Sequence, residues 1–271
     1  EKGVIMVERK RIKDTAEKYL DEFIYSSLFG AHPIARPVEG TESEIAELRF
    51  KDLLCVVKNY FSPANLVLVV VGPSDIGEVF ARATDCFSGL KKRRFVCPRI
   101  RKIRIKTSVP ALHIKKKIVN AAYASWVFPV PSFSSRDYVS MLVLINILEG
   151  RLFNELRNKR GLCYDVSKSH FESPVVDFAV LTVDCLVENR EAISEIVERE
   201  FQKLRRSGLT EVEFHDALNR LISRTELTAN SVDERAEYLY ESLIRGFLGS
   251  YDDFLARLRG ETFVNPKSLA R

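Results

Sequence analysis

Apolar residues recur on a 3.6-residue period over residues 4–28 of the chain, which predicts one amphipathic helix ending at Gly30. Two carboxylates, Glu1 and Glu8, lie two helical turns apart and project near the same apolar stripe. A carboxylate that faces a core is unfavourable unless a cation, a hydrogen-bond donor or a metal ion meets it. The residues alone leave two interpretations open. Either Glu1 frays into solvent and Glu8 pairs with a nearby Lys or Arg, or a metal ion compensates them.

The next part of the chain predicts half of an α/β unit. Residues 43–61 have helical periodicity with Ser43 as a possible N-cap, and residues 74–90 predict another amphipathic helix. Between them, the apolar run Leu66–Val71 predicts a buried strand. A single strand among helices needs partner strands from elsewhere, so this unit is expected to be incomplete.

The second half of the chain predicts a more complete unit of strands and helices. A helical stretch with a possible break at Gly150 ends at Gly161, and two later helices are separated by Gly208. The predicted elements are, in order, two strands within 111–131, a helix over 134–161, strands over 162–172 and 177–187, and helices over 188–208, 209–227 and 233–249, followed by a polar tail.

The composition of the 271 residues, 46% hydrophobic and 29% charged, is typical of a globular protein with one large or two ordinary domains. The longest purely apolar run is far too short to cross a membrane, and no leader peptide is visible. The five cysteines lack Cys-x-x-Cys spacing, which favours free thiols over a zinc site and predicts a reducing, cytoplasmic environment.

The net charge of +5 originates in one segment, Lys91–Lys106, which holds nine basic residues and no acidic one. Such a cluster can bind nucleic acid or an acidic partner. It can also be a solvated connector that leads into an edge strand, where basic residues discourage edge-to-edge pairing. No aromatic platform accompanies the cluster, so we interpret it as a connector and predict no nucleic-acid partner.

Three stretches follow one another along the chain in an order that is more specific than any one of them. The first is EKGVIMVE, residues 1–8, in which two Glu lie seven apart. The second is the loop, helix and strand that begin with HPIARPVEG and end with NLVLVVVG. The third is RLFNELRNKRGLCYDVSKS, which contains an Arg and a Tyr seven apart. In this order the three stretches resemble the pitrilysin/insulinase class of zinc peptidases, which includes the mitochondrial processing peptidases. The resemblance covers nearly the whole chain.

The resemblance implies roles for four residues. Glu8 would be the third protein ligand of a catalytic zinc, and Glu1 would be a catalytic-site carboxylate that supports it from the same helix face. Arg157 and Tyr164 would bind the peptide substrate by donating hydrogen bonds to its carbonyl oxygens. From the residues alone, Arg157 can equally cap its own helix and Tyr164 can fill the core.

The family's catalytic signature, His-x-x-Glu-His, is absent from this sequence. No two of the four histidines lie within five residues of each other, and we interpret three of them, His32, His113 and His170, as structural. Zinc therefore belongs to the complete protein, and this chain by itself is expected neither to bind zinc tightly nor to cleave peptides.

Together these observations predict an α/β fold of the α+β type, with two pitrilysin-type units of mostly antiparallel sheet covered by helices. Residues 1–90 would be the second half of the first, peptidase unit, residues 91–110 a basic connector, and residues 111–271 a second, non-catalytic unit that faces the substrate. The predicted function is part of a zinc-dependent metalloendopeptidase that acts on peptides or unfolded segments, and the predicted macromolecular partner is a second family subunit or a dimer partner. The alternative is a non-catalytic scaffold subunit of the same family.

Overall fold

The computed structural model describes residues 1–91, 103, 105, 121–173, 175–245 and 249–263. Within this part of the chain, helices and one small antiparallel sheet make up the regular structure, which confirms the α+β prediction. The helices are α1 (Lys2–Asp14), α2 (Ala16–Phe29), α3 (Glu42–Glu47), α4 (Phe50–Tyr60), α5 (Ile76–Phe87), α6 (Tyr138–Phe153), α7 (Arg190–Ser207), α8 (Glu211–Thr228), α9 (Val232–Ile244) and α10 (Tyr251–Arg259), and the strands are β1 (Ala121–Pro129), β2 (Cys163–Glu172) and β3 (Asp177–Leu186).

The described strands form a three-stranded sheet in the order β1-β3-β2, with both pairs antiparallel. Strands β2 and β3 form a hairpin, and β1 joins the other side of β3. Because side chains alternate between the two faces of a strand, the central strand β3 presents one set of apolar residues to each face. The sheet therefore needs a cover on both sides.

Helices α6 and α7 cover one face of the sheet. Leu181 and Val183 of β3 are fully buried there, together with Leu152 near the end of α6 and Ile193 and Val197 of α7. The opposite face is covered by α2, where Ile24 and Phe29 pack against Phe178 and Val180 of β3. A helix from the first third of the chain thus packs on the sheet formed by the later residues.

A third apolar cluster joins the helices of the second half. Val139 and Val143 of α6, Phe214 of α8 and Leu258 of α10 are almost completely buried in it. Arg151 of α6 donates to both carboxylate oxygens of Glu213 at 2.7 and 2.9 Å, and Glu213 also forms the capping box of α8 with Thr210. Among the described residues, no helix combines the length and the apolar character needed to cross a membrane.

The prediction of a single N-terminal helix, made from the apolar stripe, is wrong. The helix is interrupted at Thr15, whose extended backbone (φ −93°, ψ 110°) separates α1 from α2. The helix predicted over 43–61 is also divided, at Leu48 and Arg49, and its N-cap is Thr41 rather than Ser43. Thr41 is favoured because it forms a reciprocal capping box with Glu44.

The prediction of a buried strand at Leu66–Val71 is wrong: the segment is irregular and pairs with no strand in the described part of the chain. Leu66, Val67, Leu68 and Val70 are consequently exposed, since a strand buries its side chains only when neighbouring strands and helices are present.

Two further predictions concern helix ends. Helix α6 runs through Gly150 without a break, whereas the ends at Gly161 and Gly208 are confirmed by their positive φ angles of 62° and 73°. The predicted polar tail contains an additional helix, α10, which the sequence did not predict. Of the two strands predicted within 111–131, the second is β1, and residues 111–120 lie outside the described residues, as do most of the basic connector and residues 264–271.

Candidate substrate-binding site

The end of α6 positions Arg157 between two aromatic rings. Here the helix passes into a π-helical turn over Asn154–Asn158, a wider turn that is frequent at functional sites. The central carbon of the Arg157 guanidinium lies 5.2 Å from the ring centroid of Phe153 and 5.2 Å from that of Tyr164. Both distances are within the range of a cation–π interaction, so the two rings orient the guanidinium plane.

Tyr164 is directed outward by an irregularity in β2. Cys163 pairs with Cys185 and Asp165 pairs with Asp184, so Tyr164 is the extra residue of a β-bulge. Bulges redirect a side chain at the edge of a sheet, and the Tyr164 side chain is 73% exposed. The guanidinium of Arg157 donates a 2.6 Å hydrogen bond to the carbonyl oxygen of Tyr164, which ties the bulge to the end of α6.

Buried residues hold this platform rigidly. Leu152, just before the π-helical turn, and Leu156, within it, are completely buried against the sheet. The backbone N–H of Leu162 donates to the carbonyl of Leu156 at 2.8 Å, and the side-chain amide of Asn189 donates to the carbonyl of Leu162 at 2.9 Å. The exposed pair, Arg157 and Tyr164, is thus built on a fixed support.

Acidic residues surround the open end of the hairpin near Arg157. Partial burial, together with the nearby carboxylates of Asp165 and Glu17, raises the pKa of Asp184. Burial, Asp184 and Glu17 likewise raise the pKa of Tyr123 on β1. Because Glu17 belongs to the first turn of α2, this helix begins close to the sheet end that carries the bulge.

Glu1 and Glu8 do not face a core. Both side chains are exposed on α1, and no hydrogen bond or ion pair joins the Glu8 carboxylate to another described residue. The buried charge of α1 is instead Arg9, which pairs with both carboxylate oxygens of Glu22 on α2. The prediction that both carboxylates project near the buried stripe is therefore wrong, because the neighbouring arginine occupies the contact with α2.

The described residues do not by themselves form a metal site. No group of three or more His, Cys, Asp or Glu side chains among them is arranged to hold a metal ion. The Nδ1 atom of His32 accepts a hydrogen bond from the backbone N–H of Ile34, and His215 is exposed beside Glu211. His113 lies outside the described residues. Among the described residues, Glu8 is therefore a single carboxylate with no other metal-binding side chains grouped around it.

His170 is partly buried on β2, and its buried Nε2 atom has no hydrogen-bond partner among the described residues. Burial and the nearby Lys168 lower the pKa of His170 to about 4. Between pH 6.5, the ordinary pKa of histidine, and a pH of about 4, the unfolded chain holds a proton on His170 that the folded chain does not hold. We therefore expect acidification from pH 7 to 4.5 to lower the free energy of unfolding through His170 by about 2 kcal/mol.

Urea unfolding of the parent chain and of His170→Gln at both pH values isolates this effect. The variant cannot take up the proton, so its free energy of unfolding should fall less on acidification by about the same 2 kcal/mol. Equal pH dependence in the two proteins would contradict the assignment.

A family model described as the peptidase M16 inactive domain matches residues 47–221, which is more than half of the chain. The chain belongs to the peptidase M16 family. This membership confirms the resemblance to zinc metallopeptidases. Arg157 and Tyr164 both lie within the residues that the family model matches.

The M16 chain is similar to "Uncharacterized zinc protease YmxG" of Bacillus subtilis, with 22% identity over the whole chain and 66% of that protein. Two other curated relatives, from Mycobacterium leprae and Streptomyces coelicolor, are matched over 49% and 61% of their length, so the chain spans about half to two thirds of these relatives.

Two solved structures show the same fold. A peptidase M16 inactive domain from Pseudomonas fluorescens superposes with a TM-score of 0.81 at 20% identity, over 96% of this M16 chain and 63% of that one. A chain of complex III2 from Candida albicans superposes with a TM-score of 0.86 at 15% identity, over 99% of this chain and 66% of that one.

Part of the candidate site could be predicted from the sequence and part could not. The seven-residue spacing of Arg157 and Tyr164 was recognised, and the structure brings the two side chains together. No contact among the described residues joins them to Glu1 or Glu8. Phe153 was not recognised, although its position four residues before Arg157 on a helix is the signal for such a contact.

Proposed function

We propose that this chain supplies the substrate-holding part of a zinc-dependent metalloendopeptidase that hydrolyses peptides or unfolded segments with zinc-activated water. Membership of the M16 family and the similarity to a protein described as a zinc protease support this proposal. The observation that carries it is the exposed Arg157–Tyr164 pair, which is held at the junction of a π-helical turn and a β-bulge.

The geometry is suited to binding an extended peptide. Within the described part of the chain, one nitrogen of the Arg157 guanidinium is engaged, by the carbonyl of Tyr164, so other N–H groups remain to donate to a peptide carbonyl oxygen. The Tyr164 hydroxyl group is a second donor on the same exposed surface. Because the two rings fix the guanidinium before binding, less side-chain entropy is lost when the peptide arrives.

The described residues do not fit a complete zinc site, so we assign no hydrolytic step to them. In this proposal Glu8 supplies one carboxylate ligand from the exposed face of α1, and Glu1 supports it from the preceding turns. The two histidines and the general base would come from polypeptide beyond this chain. Residues 1–90 would then be part of the unit that binds the metal, and residues 111–271 the unit that binds the substrate.

Removing the Arg157 side chain should weaken peptide binding by about 10- to 100-fold, since hydrogen bonds to a charged group contribute about 1.5 to 3 kcal/mol. Tyr164→Phe, which removes only a neutral donor, should weaken it by about 2- to 10-fold. Fluorescence anisotropy with a labelled unstructured peptide measures both affinities.

The matched control is Arg160→Ala. Arg160 is an exposed arginine near Arg157 whose guanidinium pairs with Glu155. Its removal should leave peptide affinity nearly unchanged. If Arg157→Ala and Arg160→Ala bind the peptide equally well, Arg157 does not hold substrate.

Zinc titration tests the role of the metal separately. A lone glutamate oxygen holds zinc weakly, because structural and catalytic sites use three or four protein ligands. We therefore expect the chain to lose zinc to a chromophoric chelator, and Glu8→Gln to behave in the same way. Stoichiometric zinc that resists the chelator, and that Glu8→Gln releases, would show a complete site within this chain.

A second candidate function is a non-catalytic scaffold or partner subunit. It is favoured by an apolar face on α4, α5 and the segment between them, where many large hydrophobic side chains are exposed. These side chains are Phe50, Leu53, Leu54, Val57, Phe61, Leu66, Val67, Leu68, Val70, Ile76 and Phe80. The rest of a longer chain or a second family subunit would cover this face. Peptide affinity that is insensitive to both Arg157→Ala and Tyr164→Phe would favour the scaffold.

A further inference from the structure

Two cysteines lie directly opposite each other at the open end of the β2–β3 hairpin. Cys163 of β2 is the antiparallel partner of Cys185 of β3, and both side chains belong to the apolar cluster beneath α6 and α7. Directly opposed residues of antiparallel strands have Cα atoms about 4.5 or 5.5 Å apart. Both separations fall within the range of about 4.4 to 6.8 Å that a disulfide bond spans.

We propose that Cys163 and Cys185 form a redox-sensitive dithiol that a disulfide oxidant, such as oxidised glutathione, converts into a cross-strand disulfide bond. The Cys163 thiolate attacks one sulfur of the oxidant, forms a mixed disulfide and releases one thiol. Cys185 then loses its proton and attacks the Sγ atom of Cys163, which displaces the second thiol. The two cysteines lose two protons and two electrons, and the oxidant gains both as it is reduced to two thiols.

The different burial of the two cysteines fixes this order. Cys163 is half-buried and can meet an oxidant from solvent, whereas Cys185 is only 4% exposed. Once Cys163 carries the mixed disulfide, Cys185 needs no solvent access, because its target is the neighbouring sulfur. The other described cysteines, Cys55 and Cys86, lie exposed on α4 and α5, where neither has such a partner strand.

The dithiol should react slowly at neutral pH. Burial is the main cause that raises the pKa of Cys163 to about 11, and burial also raises the pKa of Cys185. Since the thiolate is the nucleophile, the rate of oxidation should rise by about tenfold per pH unit between pH 7 and 9. In a reducing compartment the pair therefore remains a dithiol until the glutathione pool becomes oxidising.

The disulfide bond would lock the start of β2 to the end of β3. This is the place where Tyr164 bulges outward, next to Cys163. Oxidation would thus reduce the freedom of the strand end that carries the exposed tyrosine. The cross-link itself does not depend on the proposed peptidase function, and its test is independent of peptide binding.

The test uses the full chain with Cys55→Ser, Cys86→Ser and Cys97→Ser, which leaves only the pair. After treatment with oxidised glutathione under native conditions, we expect a mass lower by two hydrogen atoms. A protease digest without reductant should contain one peptide that joins Cys163 to Cys185. The same linked peptide should be found in the oxidised parent chain, so the result does not depend on the three substitutions.

Cys185→Ser in the same background is the matched control, since it cannot complete the second step. It should accumulate a stable glutathione mixed disulfide on Cys163. The proposal is overturned if the variant that retains both cysteines also stops at the mixed disulfide or does not react. It is equally overturned if the linked peptide forms only after unfolding in urea, because the native strands would then not bring the sulfurs together.

Discussion

Replacing Glu22 by alanine should lower the free energy of unfolding by about 3 to 5 kcal/mol, although Glu22 lies far from the candidate substrate site. The reason is its partner Arg9, whose side chain is only 6% exposed and whose guanidinium meets both Glu22 oxygens. Without the carboxylate, a buried guanidinium has no compensating charge. The unmatched charge, more than the lost attraction, causes the destabilisation.

Urea unfolding of three variants separates these contributions. Glu17→Ala removes an exposed glutamate from the same helix and should change the stability by less than about 0.5 kcal/mol. The double variant Arg9→Met with Glu22→Leu removes both charges and should lie within about 1 kcal/mol of the parent. If the double variant is as unstable as Glu22→Ala, the loss comes from packing rather than from an unpaired charge. Hydrogen exchange should show the opening at α1 and α2 first.

Arg9 and Glu8 illustrate why the sequence predicted the wrong buried charge. The apolar stripe continues from α1 into α2, and neither proline nor glycine marks the interruption at Thr15. Once the chain bends there, α2 folds back beside α1, and the residue that faces Glu22 is Arg9. Periodicity describes one straight helix, whereas this contact depends on how two helices pack.

Elements with strong local signals were predicted well. Helices α7 and α8 follow clear periodic patterns separated by Gly208, and the hairpin strands β2 and β3 alternate as expected. Helix α10 was missed although Ser250 and Asp253 form its capping box, because its short apolar pattern lies within a polar stretch.

The candidate site was predictable only in part, for a physical reason. The family resemblance selected Arg157 and Tyr164, but the orientation of the guanidinium depends on the π-helical turn and the β-bulge. The π-helical turn contains or adjoins Leu152 and Leu156, which are buried in the core, and hydrophobic periodicity along the sequence does not specify either irregularity. The opposition of Cys163 and Cys185 depends in the same way on strand register, which the bulge shifts by one residue.

Phe178→Ala should have the other large effect, a loss of about 3 to 5 kcal/mol in the free energy of unfolding. Phe178 is 1% exposed on β3, and its ring centroid lies 5.1 to 5.7 Å from those of Tyr25, Phe29 and Phe171. Two of these rings belong to α2 and one to β2. Alanine would leave a cavity at the contact through which α2 packs on the sheet.

Phe80→Ala is the matched control, since this ring on α5 is 74% exposed and its removal should change the stability by less than about 0.5 kcal/mol. Phe178→Leu should lower the free energy of unfolding by an amount between those of Phe80→Ala and Phe178→Ala, because leucine retains part of the buried volume. Urea unfolding gives the three free energies, and hydrogen exchange should be fastest in α2. A small effect of Phe178→Ala would mean that α2 is held mainly by its contacts with α1. A large effect means that the sheet of the second half also fixes the helix pair that carries Glu8, so stability and the position of the proposed zinc ligand depend on the same ring.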